Sequence, residues 1–298
     1  EYSEHERDDV LRRDFTINGM LYDPLREVII DYVGGMDDLD SGLLRTIGEA
    51  RERFSEDKLR MMRAVRFGAR YGFEIERNTF EAVIAQSANI TQVSAERIRD
   101  ERVKIITQPN PGAGLTLLME SGLLEYIMPE AALMKGVEQP PEFHPEGDVF
   151  THTCMVLDSL FANEDGKVPT ELAMAGLLHD IGKPPTFSVS DRIRFNGHDR
   201  VGADMARDIM RRLKFSNRQI EVVYSLVREH LKFKDVFNMR QSTLKRFIGM
   251  PEFDYHLALH LADCQASHGI TDAYNFVKKA LSEMEENEIK PKPLLDGK

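Results

Sequence analysis

Ser55-Glu56-Asp57-Lys58-Leu59-Arg60-Met61-Met62-Arg63-Ala64-Val65-Arg66-Phe67-Gly68-Ala69-Arg70 is the stretch from which the fold can be read. At about 100° per residue, Glu56, Arg60, Arg63 and Arg70 share one stripe of a helix, with Asp57 and Arg66 on its flanks. Met61, Met62, Val65 and Ala69 form the opposite, apolar face. Ser55 is a suitable N-cap, with Glu56 and Asp57 at the positive end of the helix dipole. Such a stripe is ordinarily a solvated face laced by ion pairs between turns. Phe67 falls inside it, which a plain solvent face does not explain. A carboxylate beside a guanidinium also presents acceptor and donor together to the edge of a base, leaving further arginines to hold phosphates.

Upstream, Phe15-Thr16-Ile17-Asn18 and Val28–Val33 are short runs rich in β-branched and aromatic residues, with turn chemistry at Tyr22–Arg26 between them. They predict a hairpin-like piece of sheet, in which Asp14, Thr16 and Asn18 share one face. From about residue 37 the periodicity predicts almost only helix: near 37–43, 55–71, 77–87, 94–107, 112–124, 150–163, 170–181, 200–213, 217–231, 241–249 and 254–267. The stretch 135–148, with Pro140, Pro141, Pro145 and Gly147, is the best domain boundary. Residues 284–298 are charged and read as a loose tail.

Composition bounds the rest. The 298 residues carry 39 Lys and Arg against 50 Asp and Glu, a net charge of −11, which at first argues against a nucleic-acid binder. Residues 51–104 nevertheless hold twelve basic against nine acidic residues, so a basic surface inside an acidic chain still permits RNA or nucleotide contact. No run of about eighteen uncharged apolar residues occurs, the polar start is no signal peptide, and two cysteines make no disulfide framework. A reducing cytoplasm, with no membrane partner, is the expected setting. The sequence opens within a charged run rather than at Met, and a further N-terminal portion is expected to precede it.

Taken in order, Arg12-Arg13-Asp14-Phe15-Thr16-Ile17-Asn18, then Asp31-Tyr32-Val33-Gly34-Gly35-Met36-Asp37-Asp38-Leu39, Arg45-Thr46-Ile47-Gly48 and Glu56–Phe67 closely resemble class II tRNA nucleotidyltransferases and bacterial poly(A) polymerases. Ser94-Ala95-Glu96-Arg97-Ile98 is similar to a later motif of the family's neck, and the resemblance covers residues 1 to about 130. It implies nucleotide addition to an RNA 3′ end, most of all the CCA end of tRNA, from ATP and CTP with Mg²⁺. Arg13 and Asn18 would touch sugar and triphosphate, Asp57 and Arg60 would read the incoming base, and Arg63 and Arg66 would help hold the nucleotide. The family's Gly-Ser motif and its paired Asp-x-Asp metal ligands stand upstream of the Arg-Arg-Asp motif, and no such motif precedes Arg12 here. Without those carboxylates a two-metal site cannot form, so these residues alone are expected to incorporate no nucleotide.

In the second half, His152, the pair His179-Asp180 closing an apolar helix, His198, His230 and Asp263 follow one another, with Gly182 expected as a helix C-cap. Any one histidine is ordinarily a satisfied core or surface residue. The ordered set His152, His179-Asp180, Asp263 resembles the HD superfamily of metal phosphohydrolases over roughly residues 148–268. That implies catalytic His179 and Asp180, metal ligands His152, His179, Asp180 and Asp263, and His198 and His230 as ligands of a second ion or holders of phosphate. Two imidazoles with two carboxylates suit Mn²⁺, Ni²⁺, Co²⁺, Fe²⁺ or Mg²⁺. Lys183 either contacts phosphate or complements a helix end. No role is assigned to His144, His256, His260 or His268, although Phe143–Asp148 looks like the segment that enters the HD domain in this family.

The expected architecture is mainly α: the remnant of an α+β nucleotidyltransferase head (1–48), a helical neck and body that binds nucleotide and RNA (49–134), an all-α HD domain (148–270) and a tail (271–298). Three other readings stay open: a poly(A) polymerase of the same family, an HD phosphohydrolase only, and an RNA-binding module without chemistry.

Overall fold

The computed structural model describes residues 6–142, 144–164 and 166–283. The chain divides between Ala132 and Leu133 into two compact units. The first contains α1 (Glu6–Arg12), β1 (Met20–Asp23), β2 (Val28–Asp31), α2 (Gly35–Ser41), β3 (Leu43–Leu44), α3 (Ala50–Glu56), α4 (Leu59–Tyr71), β4 (Glu74–Ile75), α5 (Arg77–Gln86), α6 (Ala95–Ile106), α7 (Pro111–Glu120), α8 (Leu123–Ile127) and α9 (Pro129–Ala132). The second contains α10 (Val149–Asn163), α11 (Thr170–Leu178), α12 (Lys183–Thr186), β5 (Phe187–Val189), β6 (Ile193–Phe195), α13 (His198–Arg212), α14 (Asn217–Glu229), α15 (Gln241–Ile248), α16 (Phe253–Ala266) and α17 (Asp272–Glu283). The fold is mainly α, and no described helix is long and apolar enough to cross a membrane.

In the first unit a hairpin forms, with its first strand five residues further along the chain than expected. β1 pairs antiparallel with β2, Met20 opposite Asp31 and Asp23 opposite Val28. Residues 16–18, expected as strand, instead make a single 3₁₀ turn. Asp14, Thr16 and Asn18 therefore do not share a face. Asp14 meets arginines of α4, Thr16 donates to the buried Asp38 carboxylate at 2.6 Å, and the Asn18 Oδ1 accepts from the Phe15 amide at 3.2 Å.

The expected helix 55–71 is two helices. Asp57, in extended conformation (φ −139°, ψ 105°), ends α3, and α4 starts anew at Leu59. Ser55 is no N-cap; it lies in the last turn of α3 with its hydroxyl donating to the Arg51 carbonyl. The apolar face of α4 is as read from sequence, with Met61, Met62, Val65 and Ala69 buried. That face packs on α6 and α7, and burial of large apolar side chains at roughly 1.5–3 kcal/mol each holds the helix in place.

The second unit is built around α11. Every residue from Leu172 to Leu178 is buried, as a helix apolar on all sides requires. α10 and α14 pack against it, α16 lies along α10, and α13 lies along α14. Helix starts are marked by side chains: Asp148 Oδ1 accepts from the Thr151 amide at 2.8 Å, and Ser216 with Gln219 makes a reciprocal capping box.

Gly182 is not a left-handed C-cap: its φ is −82°. It is required for closeness instead. A Cβ there would lie 2.2 Å from the His198 carbonyl oxygen and 2.6 Å from the Gly202 amide nitrogen. The turn after His179-Asp180 thus rests directly on the start of α13. Several short elements were unforeseen, among them α1, the β3–β4 pair, α9, α12 and the β5–β6 hairpin, as was α17, which falls within the expected tail and is docked by the fully buried Val277. Residues 284–298, read as a tail, lie outside the described residues.

Two stability predictions follow from this packing. Gly182→Ala places a methyl group against backbone that cannot yield, and should lower unfolding free energy by roughly 1–3 kcal/mol in denaturant titrations; a wild-type midpoint would show that the close approach relaxes freely. His256, buried on α16, has its imidazole pushed by burial down to about 4. Because this folded value lies below the ordinary 6.5, the unfolded chain takes up a proton that the native one refuses. The corresponding stability is intact above about pH 6.5 and is lost as pH falls toward 4. Between pH 7.5 and 5, wild type should lose about 2 kcal/mol more than His256→Gln, and equal losses would mean that this histidine titrates normally.

Candidate functional sites

In the first unit, one carboxylate organises the arginines. Asp14, held at the end of α1, accepts from Arg60 Nε at 2.8 Å through one oxygen and meets Arg63 Nε at 2.5 Å through the other. Arg60 also binds Glu56 at 2.7 Å, and Arg53 donates to the carbonyls of Arg12 and Arg13 at 2.7 Å each. The Arg12–Asn18 segment is therefore tied to α3 and α4 by three guanidiniums. Arg13 turns back on its own segment, donating to the Asn18 carbonyl at 2.9 Å and to Asp9 at 2.9 Å.

Asp57 does not pair with Arg60. Its Oδ2 meets Arg97 of α6 at 2.8 Å and its Oδ1 accepts from the Leu59 amide at 3.1 Å. Partial burial pushes its pKa up, but the Leu59 amide and Arg97 overcome this and hold the carboxyl below the usual range. Arg66 points inward, buried, with Nε 2.7 Å from Glu101 and its guanidinium 4.1 Å over the Phe67 ring. Phe67 itself packs edge-on against Phe15 and stacks on Tyr71, which accounts for an aromatic inside the arginine stripe. The structure thus brings Arg60 and Arg63 together on Asp14, places Asp57 half-exposed with Arg97, and turns Arg66 away from them into the α4–α6 packing.

In the second unit six side chains from five separate segments converge. His152 comes from α10, His179 and Asp180 follow α11, His198 opens α13, His230 follows α14 and Asp263 belongs to α16. His152 Nε2 lies 3.0 Å from Asp263 Oδ1 and 3.3 Å from His179 Nε2. Asp180 stands between two sets of imidazoles. Its Oδ2 is 3.2 Å from His179 Nε2 and 3.8 Å from His152 Nε2, and its Oδ1 is 3.4 Å from His198 Nε2 and 3.9 Å from His230 Nε2.

The outer nitrogens fix what the inner ones present. Nδ1 of His179, His198 and His230 lies 2.7–2.8 Å from the carbonyl oxygens of Gly176, Phe195 and Val227. A carbonyl can only accept, so each Nδ1 carries a proton and each Nε2 is the nitrogen turned to the cluster. Burial pushes the His230 imidazole down to about 4, keeping it neutral. Burial also pushes Asp180 toward its neutral form, but Lys183, with Nζ 2.6 Å from Oδ2, and the surrounding imidazoles hold it well below the usual carboxylate range. Imidazole Nε2 atoms and carboxylate oxygens gathered at one point are the donors that suit a divalent cation. Two donor sets meet that need: His152, His179 and Asp263, and Asp180, His198 and His230.

One ligand support was not read from sequence. His152 Nδ1 lies 2.6 Å from Glu146 Oε1, which also meets His144 Nδ1 at 2.9 Å. Burial opposes the His152 charge, yet Asp263 and Glu146 on its two sides raise the imidazole to about 9. A carboxylate behind a ligating histidine orients the ring and raises its basicity. The signal was present in the spacing of Glu146 and His152, but the Pro- and Gly-rich composition around it reads as linker.

Comparison with known proteins matches this layout. The "Poly A polymerase head domain" model matches residues 1–45, "Probable RNA and SrmB- binding site of polymerase A" residues 72–134, and "HD domain" residues 149–252. An A-adding tRNA nucleotidyltransferase of Deinococcus radiodurans is 33% identical, the match covering 98% of this chain and 69% of that protein. This chain belongs to the tRNA nucleotidyltransferase/poly(A) polymerase family. A multifunctional CCA protein of Neisseria gonorrhoeae is 35% identical over 241 residues, 79% of this chain and 56% of that protein; the chain spans about half the length of several such curated relatives. The fold is shared with a Bacillus stearothermophilus CCA-adding enzyme solved with CTP (TM-score 0.63, 22% identity, 94% of this chain and 60% of that one). It is likewise shared with a Thermotoga maritima CCA-adding enzyme solved with tRNA (TM-score 0.56, 18% identity, 98% and 66%).

Within this family member the cluster makes a graded prediction. Asp180→Ala removes the carboxylate of one donor set, which also lies 3.2 Å from His179 of the other, and should abolish divalent-metal uptake. Glu146→Ala removes only the support of His152 and should weaken uptake by roughly 10- to 100-fold. Competition titrations against a chromogenic chelator with Mn²⁺, Ni²⁺ or Co²⁺ read both, and wild-type affinity in Asp180→Ala would show that the cluster is a hydrogen-bonded core rather than a metal centre.

Proposed function

We propose that this chain is the base-selecting and RNA-binding part of an enzyme that adds nucleotides to RNA 3′ ends without a nucleic-acid template, CCA addition to tRNA from CTP and ATP above all. We further propose that its second unit is a metal-dependent phosphohydrolase. The observation that carries the first reading is the arginine cluster on Asp14 beside the half-exposed Asp57. A carboxylate can accept from the exocyclic amino group that cytosine and adenine share, and guanidiniums can donate to a ring acceptor and to phosphate. Arg13, Asn18 and Arg63 would then hold sugar and triphosphate, and Arg66 would act from behind by fixing α4 to α6. The relatives' printed names, and neighbours solved with CTP, ATP and tRNA, support the same reading. The A-adding relative, matched over nearly the whole chain, favours addition of adenosine alone as a second reading; incorporation of CTP separates the two.

The phosphohydrolase reading rests on the converged imidazoles and carboxylates. His152, His179, Asp180 and Asp263 would hold one ion, and His198 and His230 a second ion or the phosphate. A divalent ion of the Mn²⁺, Fe²⁺, Co²⁺, Ni²⁺ or Mg²⁺ kind supplies a bound water of lowered pKa and a charge that orients a phosphoester. The chain's own contribution is to turn Nε2 atoms inward, to hold Asp180 ionised beside Lys183, and to set Asp180, His198, His230 and Asp263 along a cavity of about 670 Å³.

In the full-length protein carrying this chain, Asp57→Ala and Arg60→Ala should each relax discrimination between CTP or ATP and the other nucleotides by roughly 5- to 100-fold, since each leaves one polar edge of the base unmatched. Unchanged discrimination in both variants would reduce the two residues to structural ion pairs. Hydrolysis of a 2′,3′-cyclic nucleotide should depend on added divalent metal and vanish in Asp180→Ala. A protein that binds no metal and hydrolyses nothing when Mn²⁺, Ni²⁺ or Co²⁺ is supplied would sink the second reading.

A further inference from the structure

The β5–β6 hairpin has no role in either donor set, yet it joins two of the segments that carry them. It leaves α12, which begins at Lys183 three residues beyond Asp180, and returns at Gly197 into His198. Its register is Phe187 opposite Phe195 and Val189 opposite Ile193. An isolated two-stranded hairpin is marginal in water, so its position depends on these two anchors. β5 is exposed along its length, whereas β6 is half-buried and lines the cavity over the cluster.

What β6 and its turn bring to that cavity is cationic and aromatic. Arg192, Arg194 and Phe195 line it, with Lys183 and Lys234 also in its wall. Arg194 pairs with Asp191 through Nη2 at 2.8 and 3.0 Å, which leaves its buried Nε without a hydrogen-bond partner. A buried donor left unmatched is costly, and a ligand oxygen would satisfy it. The Phe195 ring is held by Phe187 at 5.8 Å and by Lys183 Nζ at 5.5 Å. The volume, about 670 Å³, is that of a site for a ligand of nucleotide size.

We propose that the β5–β6 hairpin is the specificity element of the second unit's site and selects nucleoside phosphates, Arg192 and Arg194 binding phosphate oxygens and Phe195 stacking on the base. This rests on the phosphohydrolase reading for its chemistry but not for its binding. The ligand is either a free nucleotide or the phosphorylated end of an RNA chain, which share that chemistry.

Calorimetric titration of the metal-loaded full chain with adenosine 5′-monophosphate, ribose 5-phosphate and an oligoribonucleotide ending in a 3′-phosphate tests it. Adenosine monophosphate should bind roughly 5- to 100-fold more tightly than ribose 5-phosphate, the usual worth of one base–aromatic stack. Phe195→Leu should erase that preference and Phe195→Tyr should keep it. Arg192→Ala should weaken all three ligands about tenfold without changing metal content, and that unchanged content reports an intact fold. Tighter binding of the oligonucleotide than of the mononucleotide assigns the site to RNA ends, and the reverse order assigns it to free nucleotides. Equal wild-type affinity for adenosine monophosphate and ribose 5-phosphate, or wild-type binding by both Phe195→Leu and Arg192→Ala, overturns the proposal. Absence of hydrolysis with any metal would instead overturn the reaction and leave the binding result standing.

Discussion

The second unit is organised by the need to keep the buried Asp180 ionised. A buried carboxylate without partners costs several kcal/mol or neutralises itself. Here Lys183 Nζ at 2.6 Å and imidazoles on both sides hold it charged. Those partners sit on α10, the turn after α11, α12, α13 and the segment after α14, so satisfying one carboxylate specifies how these elements meet. Gly182 makes the arrangement possible, because only a residue without a Cβ lets the turn after Asp180 touch the α13 backbone. The backbone carbonyls of Gly176, Phe195 and Val227 then choose the tautomers. Packing, charge and ligand geometry are thus one constraint rather than three.

The first unit uses the same device at lower burial. Asp14 gathers Arg60 and Arg63, and Glu101 takes Arg66 and Lys104. The Asp14 cluster is partly exposed, whereas the Arg66–Glu101 pair is buried and ties α4 to α6. Exposure therefore separates Arg60 and Arg63 from Arg66, which serves the scaffold and which the helical wheel places on the flank of the stripe.

Much of this was legible from sequence. The apolar face of α4 and the buried run of α11 are local features, decided within a turn or two of helix. The order of His152, His179-Asp180 and Asp263 was legible for the same reason: side-chain identity survives without coordinates. The strand expected at residues 15–18 failed because the Phe15 and Thr16 positions are held by a bridge to Thr46 and a hydrogen bond to Asp38, contacts more than twenty residues away. The break at Asp57 was hidden because helix-forming residues run through it, and only the Leu59 amide and Arg97 reveal why the carboxylate leaves the helix. The hairpin β5–β6 and α17 were missed because their stability comes from what they rest on.

The sequence by itself determined the family, the helical character and the identity of the metal-ligating and base-facing candidates, because those depend on residue type, order and periodicity. Tertiary structure alone decided which arginines face outward, that Glu146 stands behind His152, which nitrogen of each histidine faces the cluster, and that a hairpin with Arg192 and Phe195 borders the same cavity. Each of these depends on distances between residues far apart in the chain, and both the strength of a charge interaction and the direction of a hydrogen bond exist only once those distances are set.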